Sequence, residues 1–106
     1  MPKESVFQAK FRLELQKEFP NSIILKNDAR YIQGIPDWII LNGPNWAAYE
    51  CKRSADAKHR PNQDYYVERM NEMSYAAFVY PENEKEILDE LQRALEFDRQ
   101  TRLSKS

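Results

Sequence analysis

The stretch Gly34-Ile35-Pro36-Asp37-Trp38-Ile39-Ile40-Leu41-Asn42-Gly43-Pro44-Asn45-Trp46-Ala47-Ala48-Tyr49-Glu50-Cys51-Lys52 decides the fold. Asp37 to Leu41 and Trp46 to Lys52 both have extended character, and Asn42-Gly43-Pro44-Asn45 between them is a cluster of turn formers. That pattern predicts a β-hairpin. Side chains alternate across a strand, so Trp46, Ala48, Glu50 and Lys52 share one face and Cys51 points into the other as a small buried hydrophobe. Glu50 and Lys52 therefore point the same way, and Asp37 stands where a loop enters the neighbouring arm.

Before this hairpin, Asn27 to Pro36 is polar and holds Gly34, one of only two glycines, which predicts a loop. Ser22 to Lys26 reads as a short strand after the Pro20-Asn21 break. Ser5 to Phe19 reads as a helix with Phe7, Phe11, Leu15 and Phe19 at four-residue spacing. Val6, Ala9 and Leu13 give it a second apolar side, so cover on both sides is expected. After the hairpin, residues 53 to 60 form a polar link and Pro61 opens a helix to Met73, with Tyr66, Val67, Met70 and Met73 inward. Ser74 to Tyr80 reads as a fourth strand stopped by Pro81. Asn83 to Phe97 is an amphipathic helix carrying Ile87, Leu88, Leu91, Ala94 and Leu95 on one stripe. The expected order is α-β-β-β-α-β-α, an α/β fold with residues 1–98 as one domain and residues 99–106 as a basic, flexible tail.

Composition agrees with this outline. A chain of 106 residues is too short for two independent cores. With 42% apolar and 31% charged residues, it is neither disordered nor membrane-like in composition. A single cysteine excludes an intramolecular disulfide and a multi-cysteine zinc site. No export signal or membrane-length apolar run is visible, and a cytoplasmic location is expected. The formal net charge of −1 gives no global attraction to nucleic acid, so any phosphate binding must come from local clustering.

Two carboxylates on adjacent strand ends, Asp37 and Glu50, are suited to one small hard cation such as Mg²⁺, which takes oxygen ligands and keeps several waters. Lys52, on the same face as Glu50, can stabilise charge developing on phosphorus and orient an attacking water. Taken singly, a strand-opening Asp is a turn cap and a Glu-Xaa-Lys is a solvated ion pair; their convergence behind a Gly-Xaa-Pro lead-in favours chemistry. Gln63 faces the sheet although polar, which leaves open either a backbone-satisfied glutamine or a partner in the site. Lys52, Arg53, Lys58 and Arg60, with His59, are a basic segment leaving the same strand, and Lys26 and Arg30 precede the Pro-Asp step; these are the candidate phosphate contacts. The last helix, with six acids and two bases from Glu84 to Asp98, should face away. Tyr31, Trp38, Tyr65 and Tyr66 are candidates for base stacking or for the core.

On Gly34-Ile35-Pro36-Asp37, Glu50-Cys51-Lys52 and Arg60-Pro61-Asn62-Gln63, the chain resembles the PD-(D/E)XK nuclease superfamily, and within it the small stand-alone VRR-NUC type of phage and bacteria. The resemblance spans nearly the whole chain and implies a restriction-endonuclease-like core with a mixed sheet flanked by helices. It implies a Mg²⁺- or Mn²⁺-dependent DNA endonuclease, with metal held by Asp37, Glu50 and the Cys51 carbonyl, and with Lys52 as catalytic lysine. It also implies an acidic residue near the start of the first helix: Glu4 is chosen as an extra metal or water-relay carboxylate, with Glu14 the alternative. Branched or otherwise structured DNA and a homodimer are the expected partners. The rival readings are a catalytically silent DNA- or partner-binding module on the same scaffold, and an RNA-directed nuclease.

Overall fold

In a computed structural model, the structure describes residues 3–28 and 30–105, with side chains as far as Glu96. The elements are α1 (Glu4–Glu18), β1 (Ile23–Lys26), β2 (Trp38–Asn42), β3 (Asn45–Cys51), α2 (Gln63–Met73), β4 (Tyr75–Val79), a 3₁₀ turn at Pro81–Asn83 and α3 (Glu84–Lys105). The fold is mixed α/β. The sheet runs β1-β2-β3-β4, antiparallel between the first three strands and parallel between β3 and β4, with α2 as the crossover. None of the described helices is long and apolar enough to cross a membrane.

One sheet face carries Ile40, Ala47, Tyr49, Cys51 and Val79, all buried against Phe7, Phe11 and Leu15 of α1 and Ile87, Leu91 and Leu95 of α3. The four-residue spacing in α1 puts its phenylalanines on this face, and the Phe11 ring meets Tyr49 edge-on at 5.2 Å. The other face is roofed by α2 over β3 and β4. Ala48 and Ala76 lie opposite each other there and are fully or nearly buried, so small side chains let the helix approach. Ile23, Leu25 and Leu41 on the β1–β2 half of this face are exposed.

Several boundaries differ from the sequence reading for identifiable reasons. The second apolar side of α1 is uncovered: Val6 and Leu13 are 58% and 59% exposed. Met73, expected inward, is also exposed because it ends α2. Ser22 stays out of β1 because its amide and hydroxyl both donate to the Phe19 carbonyl and close α1. Asp37 precedes β2, its amide taken by the Glu50 side chain. Lys52 follows β3 but still donates its amide to the Val79 carbonyl at 2.8 Å, extending the pairing by one residue. The backbone of α3 continues to Lys105, so the segment from Arg99 is helical where a frayed tail is expected; its side chains, and Ser106 altogether, lie outside the described residues.

Pro61 does not open α2. Arg60-Pro61-Asn62-Gln63 is a type II turn: Gln63 N–H donates to the Arg60 carbonyl at 3.2 Å, and Asn62 takes φ 70°, ψ −3°. Proline fixes φ at the second position of such a turn, and asparagine tolerates the left-handed third. Gly34, at φ +90°, seats the Asn27–Pro36 loop on this turn; a Cβ there would fall 2.6 Å from Asn62 Cβ and 2.8 Å from the Pro61 carbonyl oxygen. Gly43, at φ +61° in the hairpin turn, faces open space. Gly34→Ala is therefore expected to lower stability by about 1–3 kcal/mol, from backbone strain and the clash together. Gly43→Ala should cost less, and urea denaturation midpoints of the two variants measure the difference.

Candidate active site

The hairpin register sets the central geometry. Trp38 pairs with Tyr49, so the next step outward opposes Asp37 to Glu50 and Pro36 to Cys51. In a two-residue hairpin closed by Asn42 and Asn45 the hydrogen-bonded pairs alternate. By that alternation Asp37 and Glu50 form a non-hydrogen-bonded pair, the kind whose Cα atoms approach to about 4.5 Å and whose side chains lie closest. Both carboxylates thus sit on one sheet face. The Asp37 amide donates to Glu50 Oε1 at 3.0 Å. Asn27 ties the loop to the same corner, donating its amide to the Asp37 carbonyl and its Nδ2 to the Pro36 carbonyl.

The same alternation turns the Cys51 carbonyl toward β2, because the Lys52 amide is turned toward β4. The residue opposite is Pro36, which has no N–H to give. The carbonyl is left without its ladder donor beside Glu50. The Cys51 side chain points into the core, and burial foremost, with Glu50 next, pushes its thiol far above the usual range. It is no nucleophile.

Lys52 is only 5% exposed and has no carboxylate within ion-pair distance among the described residues. Its Nζ donates to Gln63 Oε1 at 2.8 Å and to the Lys58 carbonyl at 3.2 Å. An ammonium has three protons, so one remains for the cleft. Gln63 Oε1 also accepts the Arg60 amide at 2.8 Å, which fixes the carboxamide orientation. The sheet-facing glutamine thus has both of the partners that the sequence left open: backbone and the lysine.

Glu50 is 3% exposed, and its pKa is pushed up to about 7. Burial is the main cause, followed by the Asp37 charge; the Asp37 amide and Lys52 oppose the rise, and Glu4 adds to it. Glu4, at the start of α1, lines the same cleft as Asp37, Glu50 and Lys52. Glu14 does not: it sits on the α1–α3 seam, pairs with Lys10 at 3.7 Å, and has its pKa raised by burial and by Glu84.

The cleft has a volume of about 1030 Å³. Lys26, Arg30, Arg53, Lys58 and Arg60 all line it, and no described residue of α3 does. Lys26 lies over the Trp38 ring at 5.3 Å, and Arg30 is held by Asp28 at 3.2 Å. His59 has other partners than the cleft: its ring stacks on Phe78 at 3.9 Å and Nδ1 meets Asp64 at 2.7 Å. It anchors the segment between Lys58 and Arg60. Among the aromatics, Trp38 stacks on Tyr49 against the core, Tyr65 meets Tyr66 edge-on on α2, and Tyr31 stands exposed. Sequence reasoning missed Gln8, which lines the cleft one turn after Glu4 and could have been found from that i, i+4 spacing. It also missed Asp56, held in a tight turn by Ser54.

No three His, Cys, Asp or Glu side chains among the described residues converge tightly enough to hold a metal ion by themselves. The donors a cation would meet here are two opposed carboxylates and the undonated Cys51 carbonyl, with Glu4 farther out. These are hard oxygen ligands, and two carboxylates opposed at a buried corner gain from a cation between them, so the set fits Mg²⁺ or Mn²⁺. No family model, no curated protein and no solved structure matches the chain.

Linkage gives the sign of a pH effect. Between the ordinary value of 4.5 and about 7, folded Glu50 keeps a proton that the unfolded chain has released. Stability therefore falls as pH rises through that window and levels off above it, by an amount on the order of 2–3 kcal/mol. Glu50→Gln keeps an acceptor for the Asp37 amide and should remove this part of the slope. Urea melts of both proteins at pH 5 and pH 8 without metal test it, and Mn²⁺ at pH 8 should restabilise the wild type more than the variant.

Proposed function

We propose that this protein is a divalent-metal-dependent DNA endonuclease built on a restriction-endonuclease-like core, in keeping with its resemblance to the VRR-NUC type. The observation that carries the reading is the direct opposition of Asp37 and Glu50 on one sheet face, with Lys52 buried beside them and restrained by Gln63. The basic lining of the cleft supports a polyanionic substrate.

Mg²⁺ or Mn²⁺ bound at Asp37, Glu50 and the Cys51 carbonyl would supply Lewis-acid polarisation of the phosphate and an acidified water. The chain's own groups do the rest. The free Lys52 proton donates to the scissile phosphate or to the attacking water while the bond to the departing sugar oxygen breaks. Gln63 and the Lys58 carbonyl keep the ammonium from folding onto Glu50. Glu4 stands as a proton relay at the cleft edge. Arg53, Lys58, Arg60, Lys26 and Arg30 grip flanking phosphates, which fixes position without reading sequence.

Branched or structured DNA is the substrate class proposed, in keeping with the resemblance and with a cleft whose basic lining suits phosphates more than base edges. A junction with two-fold symmetry is matched by a homodimer, and the setting proposed is the cytoplasm of a bacterial or phage-infected cell.

Cleavage of supercoiled plasmid and of a synthetic four-way junction in Mg²⁺ tests the reading. Lys52→Ala and Asp37→Ala should each lose about 100-fold or more in rate, as removal of a charge-stabilising group does elsewhere. Gln63→Leu should lose less, because Lys52 keeps one carbonyl partner. Wild-type protein that binds DNA but cuts neither DNA nor RNA with any divalent metal would establish the silent-module reading instead.

A further inference from the structure

Behind the cleft lies a second hollow of about 400 Å³, lined by Asn27, Asp28, Tyr31, Ile32, Ile35 and Ile39. Ile35 lines both spaces, so its side chain is the wall between the carboxylate site and the hollow. The lining is mostly apolar, yet all of it but Ile39 of β2 comes from a surface loop, and Tyr31 is 87% exposed. No aromatic ring of the described residues stacks on Tyr31. Its flat ring contributes nothing to the core and is presented to whatever enters.

We infer that this hollow receives a nucleobase that has left the DNA stack beside the scissile phosphate, with Tyr31 as its stacking platform. The inference rests on the nuclease reading of the adjoining cleft and adds the part of the substrate that it recognises. Three observations select a base over another apolar guest. The hollow and the basic cleft are separated only by Ile35, which lines both, and a base is joined to its own phosphate through a single sugar. Lys26 and Arg30 line that cleft, and Arg30 is the chain neighbour of Tyr31, so a phosphate held there brings its base close to the hollow. Asn27 and Asp28 put hydrogen-bond acceptors on the rim: Asn27 turns its Nδ2 to the Pro36 carbonyl, which leaves Oδ1 free of that bond. Arg30, bonded to Asp28 through its amide and guanidinium, holds that carboxyl below its usual range and offsets its repulsion of a phosphate.

A paired, stacked base cannot reach the hollow without leaving the helix, and that cost is smallest where the base is already unpaired. The hollow thus favours branch points, bulges and single-stranded junctions over continuous duplex. Specificity for DNA structure would arise from one nucleotide instead of from the shape of the whole junction.

The test is anisotropy titration, with Ca²⁺ replacing Mg²⁺, of duplexes carrying a one-nucleotide bulge with its base, the same bulge without a base, or no bulge. Wild type should bind the intact bulge about 5-fold or more tighter than the baseless one, the range expected for stacking of one base on one aromatic ring. Tyr31→Ala should bring that ratio near one, and Tyr31→Phe should retain it. Tyr31 is exposed, so both variants should fold, which circular dichroism checks. Equal binding of the two bulges by wild type, or an unchanged ratio in Tyr31→Ala, overturns the inference while Mg²⁺-dependent junction cutting leaves the nuclease reading standing. A Tyr31→Ala variant that changes self-association in sedimentation but not the ratio makes the hollow a contact between copies, and also overturns it. Failure of wild type to bind or cut any DNA removes the nuclease reading and the base pocket together.

Discussion

The carboxylate pair of the candidate site depends on the register between β2 and β3. That register makes Asp37 and Glu50 a non-hydrogen-bonded pair, so the strands themselves press two negative side chains together at a buried corner. Burial and the Asp37 charge together outweigh the Asp37 amide and Lys52, and with no ion pair to Glu50 among the described residues its pKa is pushed up to about 7. A slip of one residue would send Glu50 to the opposite face, among the phenylalanines of α1, and expel Tyr49 from the core. Tyr49 is fully buried, edge-on to Phe11 and stacked with Trp38. The core therefore fixes the register, and the register fixes the carboxylates.

The lysine is held by different means. A buried ammonium without a carboxylate partner is costly unless oxygen acceptors replace its water. Gln63 and the Lys58 carbonyl do so, and both belong to the segment that follows β3. That segment is in turn fixed by the type II turn at Pro61-Asn62, by Gly34 packed on it, and by His59 clamped between Phe78 and Asp64. Charge separation between Glu50 and Lys52 is thus maintained by backbone placement. The two side chains share a face and lie near each other without collapsing into an ion pair.

Much of this was legible in the sequence because the deciding signals are local. The Asn42-Gly43-Pro44-Asn45 turn and strand alternation place Glu50 and Lys52 on one face, and the four-residue phenylalanine spacing gives the buried side of α1. What was not legible depends on contacts distant in sequence. Val6 and Leu13 read as a second buried side because periodicity cannot reveal that no neighbour covers them. Pro61 read as a helix start because proline suits both that position and the second place of a type II turn, and the left-handed Asn62 decides between them. His59 read as a phosphate contact because it lies within a basic segment; its stacking on Phe78 depends on the parallel placement of β4. Glu4 and Glu14 could not be separated by periodicity alone, and the α1–α3 seam separates them.

The parallel pairing of β3 with β4 through α2 also bears on how the molecule comes off the ribosome. A nascent chain extruded only through the hairpin possesses its acids but has neither the carboxamide nor the loop carbonyl that steady the amine. The crossover helix supplies the first and seats the second, and β3 has no parallel neighbour until residues near Val79 emerge. The oxygen acceptors that steady the buried ammonium therefore arrive only as the sheet closes, so this charged corner is completed later than the hairpin that carries it.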